Sequence, residues 1–155
     1  MSWQRGREEI LAMLDRDELT QVVADPQLAE RLLAAATRHV TSAETLRDSD
    51  PELAYTALYD AIRKALSAML QAQGLRPTAA GGHLAVQRAI QAQFGASMGA
   101  LLRPVNRNRA TRHAVQYPDA ETYIDADQVR TDLPAAVELV EAAAKAIAHL
   151  PVFTR

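Results

Sequence analysis

The sequence predicts an all-α protein, a bundle of about five to six helices with antiparallel core helices. Alanine and leucine dominate the 155 residues, whereas only 5% are aromatic and runs of β-branched residues are scarce. That composition favours helices over strands. Two Asp-Pro pairs supply helix start signals. At this length a single domain buries well over half of its unfolded surface, so neither disulfides nor metals are needed for folding.

The N-terminal part of the chain, residues 1–24, is predicted to form a helical arm. Apolar residues at helical spacing indicate a first helix over about 4–14, and a second short turn is expected around 18–23. The apolar face of this segment is weak. We therefore interpret it as an arm or cap on a single helical domain that spans 25–155.

Two helix start signals open the central pair of helices. Asp25 and Asp50 are N-cap residues, and each is followed by a proline at the first helical position. The helix from Asp25 is predicted to run to about Arg47 along one apolar stripe. Because the link to the next start is very short, the two helices are predicted to pack antiparallel. The second is the most hydrophobic element and is expected at the centre of the bundle.

Glycines mark the next boundaries. Gly74 is predicted as a helix C-cap, and residues 75–82, which carry Arg-Pro and Gly-Gly, are predicted as a loop. A shorter helix is then expected over about 83–94, with a weak join at 95–99.

Prolines mark the last boundaries. A helix over about 98–112 is predicted to start or kink near Pro104, because proline lacks a backbone donor. Tyr117-Pro118 ends this element, since the residue before proline is disfavoured in helical geometry. The last helix is predicted over about 126–150, with a kink or break near Pro134.

The charge distribution is strongly uneven. The chain carries 17 basic and 19 acidic residues, yet residues 61–118 contain eight basic residues and no acidic one. This stretch has a net charge of +8, beside −10 for the rest of the chain. Such a basic stripe suggests a phosphate-bearing partner, although ion pairs with the acidic remainder are an equally ordinary explanation. The eight residues are Arg63, Lys64, Arg76, Arg88, Arg103, Arg107, Arg109 and Arg112.

Several classes of function have no support in the sequence. There is no cysteine, and no pair of the four histidines has zinc-ligand spacing, so no metal site is expected. His83 is interpreted as a residue of a helix N-terminus. No dinucleotide-binding, P-loop or serine hydrolase motif is present, so no cofactor is expected. No apolar run approaches the roughly 20 residues that span a bilayer, and the N-terminus does not look like a signal peptide. We expect a cytoplasmic protein with no membrane contact.

Four segments occur in an order that resembles a known superfamily. They are AYTALYDAIRKALSAMLQAQGLRPT, GGHLAVQRAIQAQFG, RNRATRHAVQYPD and a final alanine-rich helix. The order is similar to that of the HEPN superfamily, the higher eukaryotes and prokaryotes nucleotide-binding domains, and above all to its small single-domain bacterial branch. The resemblance covers roughly residues 25–150. It implies a helical bundle that pairs as a homodimer through the helix that bears the arginines.

The HEPN motif is an arginine with a polar neighbour, followed after four to six residues by a histidine, and it maps onto this chain in two ways. The first takes Arg107 and Asn108 as the pair and His113 as the histidine, with five residues between Arg107 and His113. The second takes Arg112 and His113 as the pair and Tyr117 as the final residue. Tyrosine, with an ordinary pKa near 10, is a poor base at neutral pH. Both alignments remain open.

The resemblance implies a toxin-type ribonuclease that cleaves RNA without a metal, by attack of the ribose 2′-hydroxyl on the adjacent phosphorus. Such a reaction requires a base, an acid and cations that stabilise the phosphorane. Arg109 and His113 are four residues apart and share a helix face, whereas Arg107 is about 120° away from His113. The candidate catalytic residues are Arg107, Asn108, Arg112, His113 and Tyr117, and the candidate phosphate-binding residues are Arg103, Arg107, Arg109 and Arg112.

The alternative is a HEPN-like module without catalysis. It would bind RNA or a nucleotide, or a protein partner such as a nucleotidyltransferase. For the toxin-type ribonuclease, by contrast, the resemblance suggests an antitoxin as a possible partner. The tyrosine at position 117 favours this alternative.

Overall fold

The computed structural model describes residues 3–155, and in this part of the chain it contains six helices and one pair of short strands. The all-α bundle predicted from the sequence is confirmed, with a small sheet added to it. The elements are α1 Arg7–Asp15, β1 Leu19–Gln21, α2 Pro26–Leu46, α3 Pro51–Ala72, β2 Leu75–Pro77, α4 Gly82–Leu102, α5 Val105–Gln116 and α6 Ala126–Ile147.

Helices α2 and α3 pack against each other as an antiparallel pair, as predicted, and α3 lies at the centre of the bundle. Both start signals act as expected, because the Asp25 and Asp50 carboxylates accept hydrogen bonds from the Leu28 and Leu53 amides at 2.9 and 3.1 Å. Helix α3 also contacts α4, α5 and α6, and most of its apolar side chains are buried. It is therefore the core element on which the other helices pack.

The short turn predicted around 18–23 and the loop predicted over 75–82 are corrected by the structure, because each contains a strand. Strands β1 and β2 pair antiparallel, with Thr20 opposite Arg76. Gly74 ends α3 with a left-handed φ of 73°, as a C-cap glycine does, and its carbonyl accepts the Val22 amide at 2.8 Å. The chain reverses direction at Gly74, which brings residues 75–77 alongside residues 19–21. The two extended segments then pair as β1 and β2.

The N-terminal segment packs onto the body of the bundle. Helix α1 contacts α4, and Ile10 and Met13 are fully buried in the same core cluster as the residues of α3. The Trp3 indole stacks on the Phe94 ring, with 5.3 Å between ring centroids. At the other end of the chain, the Phe153 ring is buried and the Phe153 amide donates to the Gln73 carbonyl at 2.8 Å.

The helix boundaries after residue 82 differ from those predicted. The join expected at 95–99 does not end the helix, since α4 continues to Leu102 with a kink at Met98, where φ is −121° and ψ is 17°. The break lies at Pro104, which caps α5 and is consistent with the predicted helix start there. Proline has no amide with which to continue the α4 hydrogen-bond ladder.

The last helix also differs in detail from the prediction. Helix α6 runs without a break through Pro134 and ends at Ile147 rather than near residue 150. Pro134 is exposed, so water can satisfy the carbonyl that proline leaves without a partner. None of the helices in residues 3–155 combines the length and the apolar character needed to cross a membrane.

We expect Gly6→Ala to lower the free energy of unfolding by roughly 2 to 3 kcal/mol. Gly6 has a φ of 68°, and a Cβ there would lie 2.6 Å from the carbonyl carbon and oxygen of Ala92. Gly99→Ala is the control, because a Cβ at Gly99 meets no atom within 4 Å and alanine favours the helix by about 1 kcal/mol. Urea unfolding followed by circular dichroism measures both, and equal stabilities of the two variants would contradict the close packing of α1 on α4.

Candidate functional site

Helix α5 carries most of the predicted site residues and presents them on two sides. Val105 and Asn108 are its buried residues, and they hold it against the bundle. On one side Arg107 and Asn108 reach groups of α3 and α6. On the other side Arg109, Arg112 and His113 line a cleft. The helix thus divides the candidate residues between two environments.

A buried carboxylate organises the first environment, which we call the Asp132 cluster. The Asp132 side chain is only 1% exposed. It accepts hydrogen bonds from the Tyr55 hydroxyl at 2.7 Å and from the Gln128 amide at 2.8 Å, and Arg107 Nη1 donates to its two oxygens at 2.8 and 2.9 Å. The Asn108 amide donates to the Tyr55 hydroxyl at 3.1 Å. These contacts join α3, α5 and α6.

The protonation states in the Asp132 cluster follow from burial and pairing. Burial, together with the hydrogen bond to Asp132, raises the pKa of Tyr55 to about 12, so the hydroxyl stays protonated and donates. The hydrogen bond to Asp132 raises the pKa of Arg107. Arg107 and Asn108, the Arg-polar pair of the first motif alignment, are therefore both engaged in contacts that hold helices together.

The second environment is a cleft of about 560 Å³ between α3, the start of α4 and α5. We call it the α5 cleft. Because α4 begins at its wall, the partial positive charge of that helix N-terminus adds to the charge of the arginines. The side chains that define it are those of Tyr59, His83, Leu84, Arg109, Arg112 and His113.

The two arginines of the α5 cleft have no anionic partner in the part of the chain that the structure describes. Within residues 3–155, no salt bridge joins Arg109 or Arg112 to a carboxylate, and the Nε atoms of both are buried without a hydrogen-bond partner. A terminal nitrogen of Arg112 donates to the Gln116 side chain. Because both guanidinium groups line the cleft without a carboxylate partner among residues 3–155, their positive charge favours an anion there.

The histidines and tyrosines of the α5 cleft sit in a cationic environment. Burial lowers the pKa of His83, and the charges of Arg63 and Arg112 lower it further, against a smaller opposing effect of Asp60. His83 is therefore neutral at pH 7. Burial raises the pKa of Tyr59, while nearby arginines oppose that rise. The ring of His113 contacts the ring of Tyr117, which is 66% exposed, with 4.9 Å between centroids.

A second cavity of about 680 Å³ lies beside the α5 cleft, and Arg103 is one of its lining residues. We call it the α4 cavity. It is lined by residues of α1, α4 and α5, among them Leu84, Gln87, Gln91 and Asn106. Arg88 is also at its wall, but Arg88 forms salt bridges with Glu9 and Glu18 at 2.8 and 2.9 Å.

The structure thus separates the arginines that the sequence groups together. Arg88 and Arg107 pair with carboxylates, as the ordinary explanation of a basic stripe predicts, whereas Arg109 and Arg112 do not within residues 3–155. Arg103 lies apart, in the α4 cavity. The residues brought together from the predicted site are Arg109, Arg112 and His113, with Tyr117 at their edge.

Sequence reasoning did not identify Tyr59 and His83 as site residues. The sequence predicts His83 as a helix N-terminal residue, which it is, and this helix start also forms a wall of the cleft. The Gly-Gly-His signal at that start was visible in the sequence. Within residues 3–155 there is no group of three or more His, Asp or Glu side chains that could hold a metal ion.

Fold and site together define an all-α protein with a basic cleft formed by three helices. Comparisons with models of known protein families, with curated proteins and with solved structures found no match.

Arg107→Ala is expected to lower the free energy of unfolding by roughly 2 to 3 kcal/mol. The change leaves the buried Asp132 carboxylate without its cation, although the hydrogen bonds from Tyr55 and Gln128 remain. Arg130→Ala is the matched control, because Arg130 pairs with Asp127 on the surface of α6 and should contribute under about 1 kcal/mol. Chemical denaturation of both variants tests this, and a loss no larger for Arg107 than for Arg130 would be inconsistent with a structural role of the pair.

Proposed function

We propose that this chain is a HEPN-like protein that binds RNA through phosphate contacts in the α5 cleft. One observation carries the proposal: Arg109 and Arg112 line the same cleft, and neither forms a salt bridge with a carboxylate among residues 3–155. Arginine forks onto two phosphate oxygens at once, which is why it is common in phosphate sites. The neighbouring N-terminus of α4 favours the same kind of ligand.

The HEPN-like order of segments supports RNA as the source of the phosphate. It also implies a homodimer that pairs through α5. The exposed tyrosines that follow this helix, Tyr117 and Tyr123, are 66% and 80% exposed and support a contact surface there. In such a pair the clefts of the two protomers would lie close to a common axis.

The double variant Arg109→Ala/Arg112→Ala is expected to weaken RNA binding by at least about tenfold and to reduce the salt dependence of binding. Each lost phosphate contact removes roughly 0.7 from the slope of log K against log salt for a single strand. Fluorescence anisotropy with a labelled RNA at several salt concentrations measures both effects. Arg31→Ala, an exposed arginine of α2, is the control. Unchanged binding by the double variant would remove the basis of the proposal.

A second candidate function is metal-independent cleavage of the bound RNA, and the observation that favours it is that His83 and His113 line the same cleft. His83, neutral at pH 7, takes the proton of the ribose 2′-hydroxyl as that oxygen forms its bond to phosphorus. His113 donates a proton to the 5′ oxygen as the bond between phosphorus and that oxygen breaks. Arg109 and Arg112 stabilise the charge on the phosphorane. The products are a 2′,3′-cyclic phosphate and a 5′-hydroxyl, and exchange with water restores both imidazoles.

Cleavage is expected to persist in EDTA and to fall by at least about a hundredfold in His83→Ala and in His113→Ala, because each removes a proton-transfer group. His149→Ala, an exposed histidine beyond α6, should cleave like the unchanged protein. Gel analysis of a labelled RNA, with mapping of the product ends, is the measurement. RNA that stays intact while bound would favour the non-catalytic module, whose further partner would then be a nucleotide or a protein such as a nucleotidyltransferase.

A further inference from the structure

We propose that the α4 cavity binds a carboxylate that carries an amide and an apolar group. This chemistry is found at the C-terminal end of a peptide and in an N-acylated amino acid. The inference goes beyond the proposed function, because Arg109 and Arg112 of the α5 cleft do not line this cavity. It rests on the shape of the cavity, on the charge of Arg103 and on the amide side chains of its wall.

The α4 cavity is bounded by a kinked helix and the element that follows it. Helix α4 kinks at Met98. The Gln87 amide, in the first half of this helix, donates to the Asn106 side chain at 2.7 Å, so the start of α5 lies against that half. The cavity between these parts has a volume of about 680 Å³, and small-molecule sites range over roughly 300–1,000 Å³. Its size therefore suits a ligand of a few to several tens of atoms.

Two glycines form part of the α4 wall. Gly95 and Gly99 both line the cavity, and a Cβ at Gly99 would meet no atom within 4 Å. Backbone without side chains lets a ligand approach the helix closely. Because Gly99 lines the cavity, a larger side chain at this position would take up space that a ligand needs.

Arg103 provides the cation for a carboxylate. Its side chain is exposed at the cavity and forms no salt bridge or hydrogen bond in the part of the chain that the structure describes. The other charged side chains of the wall, Glu9 and Arg88, pair with each other at 2.8 Å. The negative charge of Glu9 disfavours a second negative charge on the ligand. The cavity therefore suits a monoanionic carboxylate better than a phosphate dianion.

Amide and apolar side chains of the same wall fit the remainder of such a ligand. The Gln91 side chain is exposed and has no hydrogen-bond partner among residues 3–155, so it can both donate to and accept from a ligand amide. Asn106 accepts from Gln87 through Oδ1, which leaves its Nδ2 group to donate. Leu84 is 47% exposed and offers a surface for an apolar group.

The charge is tested by isothermal titration calorimetry with N-acetyl-leucine and N-acetyl-leucinamide, which differ in the carboxylate. We expect N-acetyl-leucine to bind at least about tenfold more tightly, because only a carboxylate forms charge-assisted hydrogen bonds with Arg103. Arg103→Gln should bind the two probes equally weakly. Arg31→Gln is the control, because Arg31 is exposed on α2 and does not line the α4 cavity.

The location is tested by filling the cavity. Gly99→Leu should abolish binding of N-acetyl-leucine while circular dichroism shows an intact fold, because leucine is a good helix former. Ala34→Leu, at an exposed position of α2, is the matched control and should bind normally.

A peptide of about ten residues that ends in leucine distinguishes the two sources of the ligand. Tighter binding of this peptide than of N-acetyl-leucine would identify a protein C-terminus as the ligand, and equal binding would identify a small molecule. Both results support the site.

Other outcomes would overturn it. These are equal binding of the two probes by the unchanged protein, binding of N-acetyl-leucine that survives Arg103→Gln or Gly99→Leu, and absence of binding of both N-acetyl-leucine and the peptide. Binding of RNA in the α5 cleft is tested by Arg109→Ala/Arg112→Ala, so either proposal can fail while the other stands.

Discussion

The buried carboxylate of Asp132 is the constraint on which the arrangement of the site depends. A carboxylate that is 1% exposed is tolerated only when its oxygens are fully engaged, and here Tyr55, Arg107 and Gln128 engage them. Because the partners come from three helices, satisfying one charge fixes how α5 sits on α3 and α6. This internal contact therefore also fixes where α5 presents the side chains that line the α5 cleft.

The side chains of α5 form two groups, so one short arginine-rich helix both holds the bundle together and lines a cleft. Arg107 and Asn108 face inward to the Asp132 cluster, whereas Arg109, Arg112 and His113 face the cleft. A helix advances about 100° per residue, so neighbours in sequence necessarily point to different surroundings. A motif written as adjacent letters therefore mixes residues with separate contacts. The first alignment joins Arg107 and Asn108 of the Asp132 cluster to His113 of the cleft, whereas the second takes both Arg112 and His113 from the cleft.

Local signals were readable from the sequence and non-local ones were not. The N-caps at Asp25 and Asp50 and the cap at Gly74 depend on neighbours within a few residues, and they were predicted. Strands of three residues that pair over more than fifty positions leave no periodicity to detect. Residues 61–118, which contain no acidic residue, predict a cationic surface. Which of their arginines remain without an ion-pair partner depends on carboxylates from other helices, such as Asp132.

The stacking of Trp3 on Phe94 has a practical consequence, because Trp3 is the protein's single tryptophan. Its intrinsic emission reports on whether the N-terminal segment is docked on α4, whereas the far-ultraviolet helical signal is dominated by α2, α3, α4 and α6. Coincidence of the two transitions during unfolding would make segment and bundle one cooperative unit. If the emission changes before the helical signal, the N-terminal segment unfolds from the bundle as a separate unit. The Trp3 emission would then also report local detachment of this segment in the otherwise native protein.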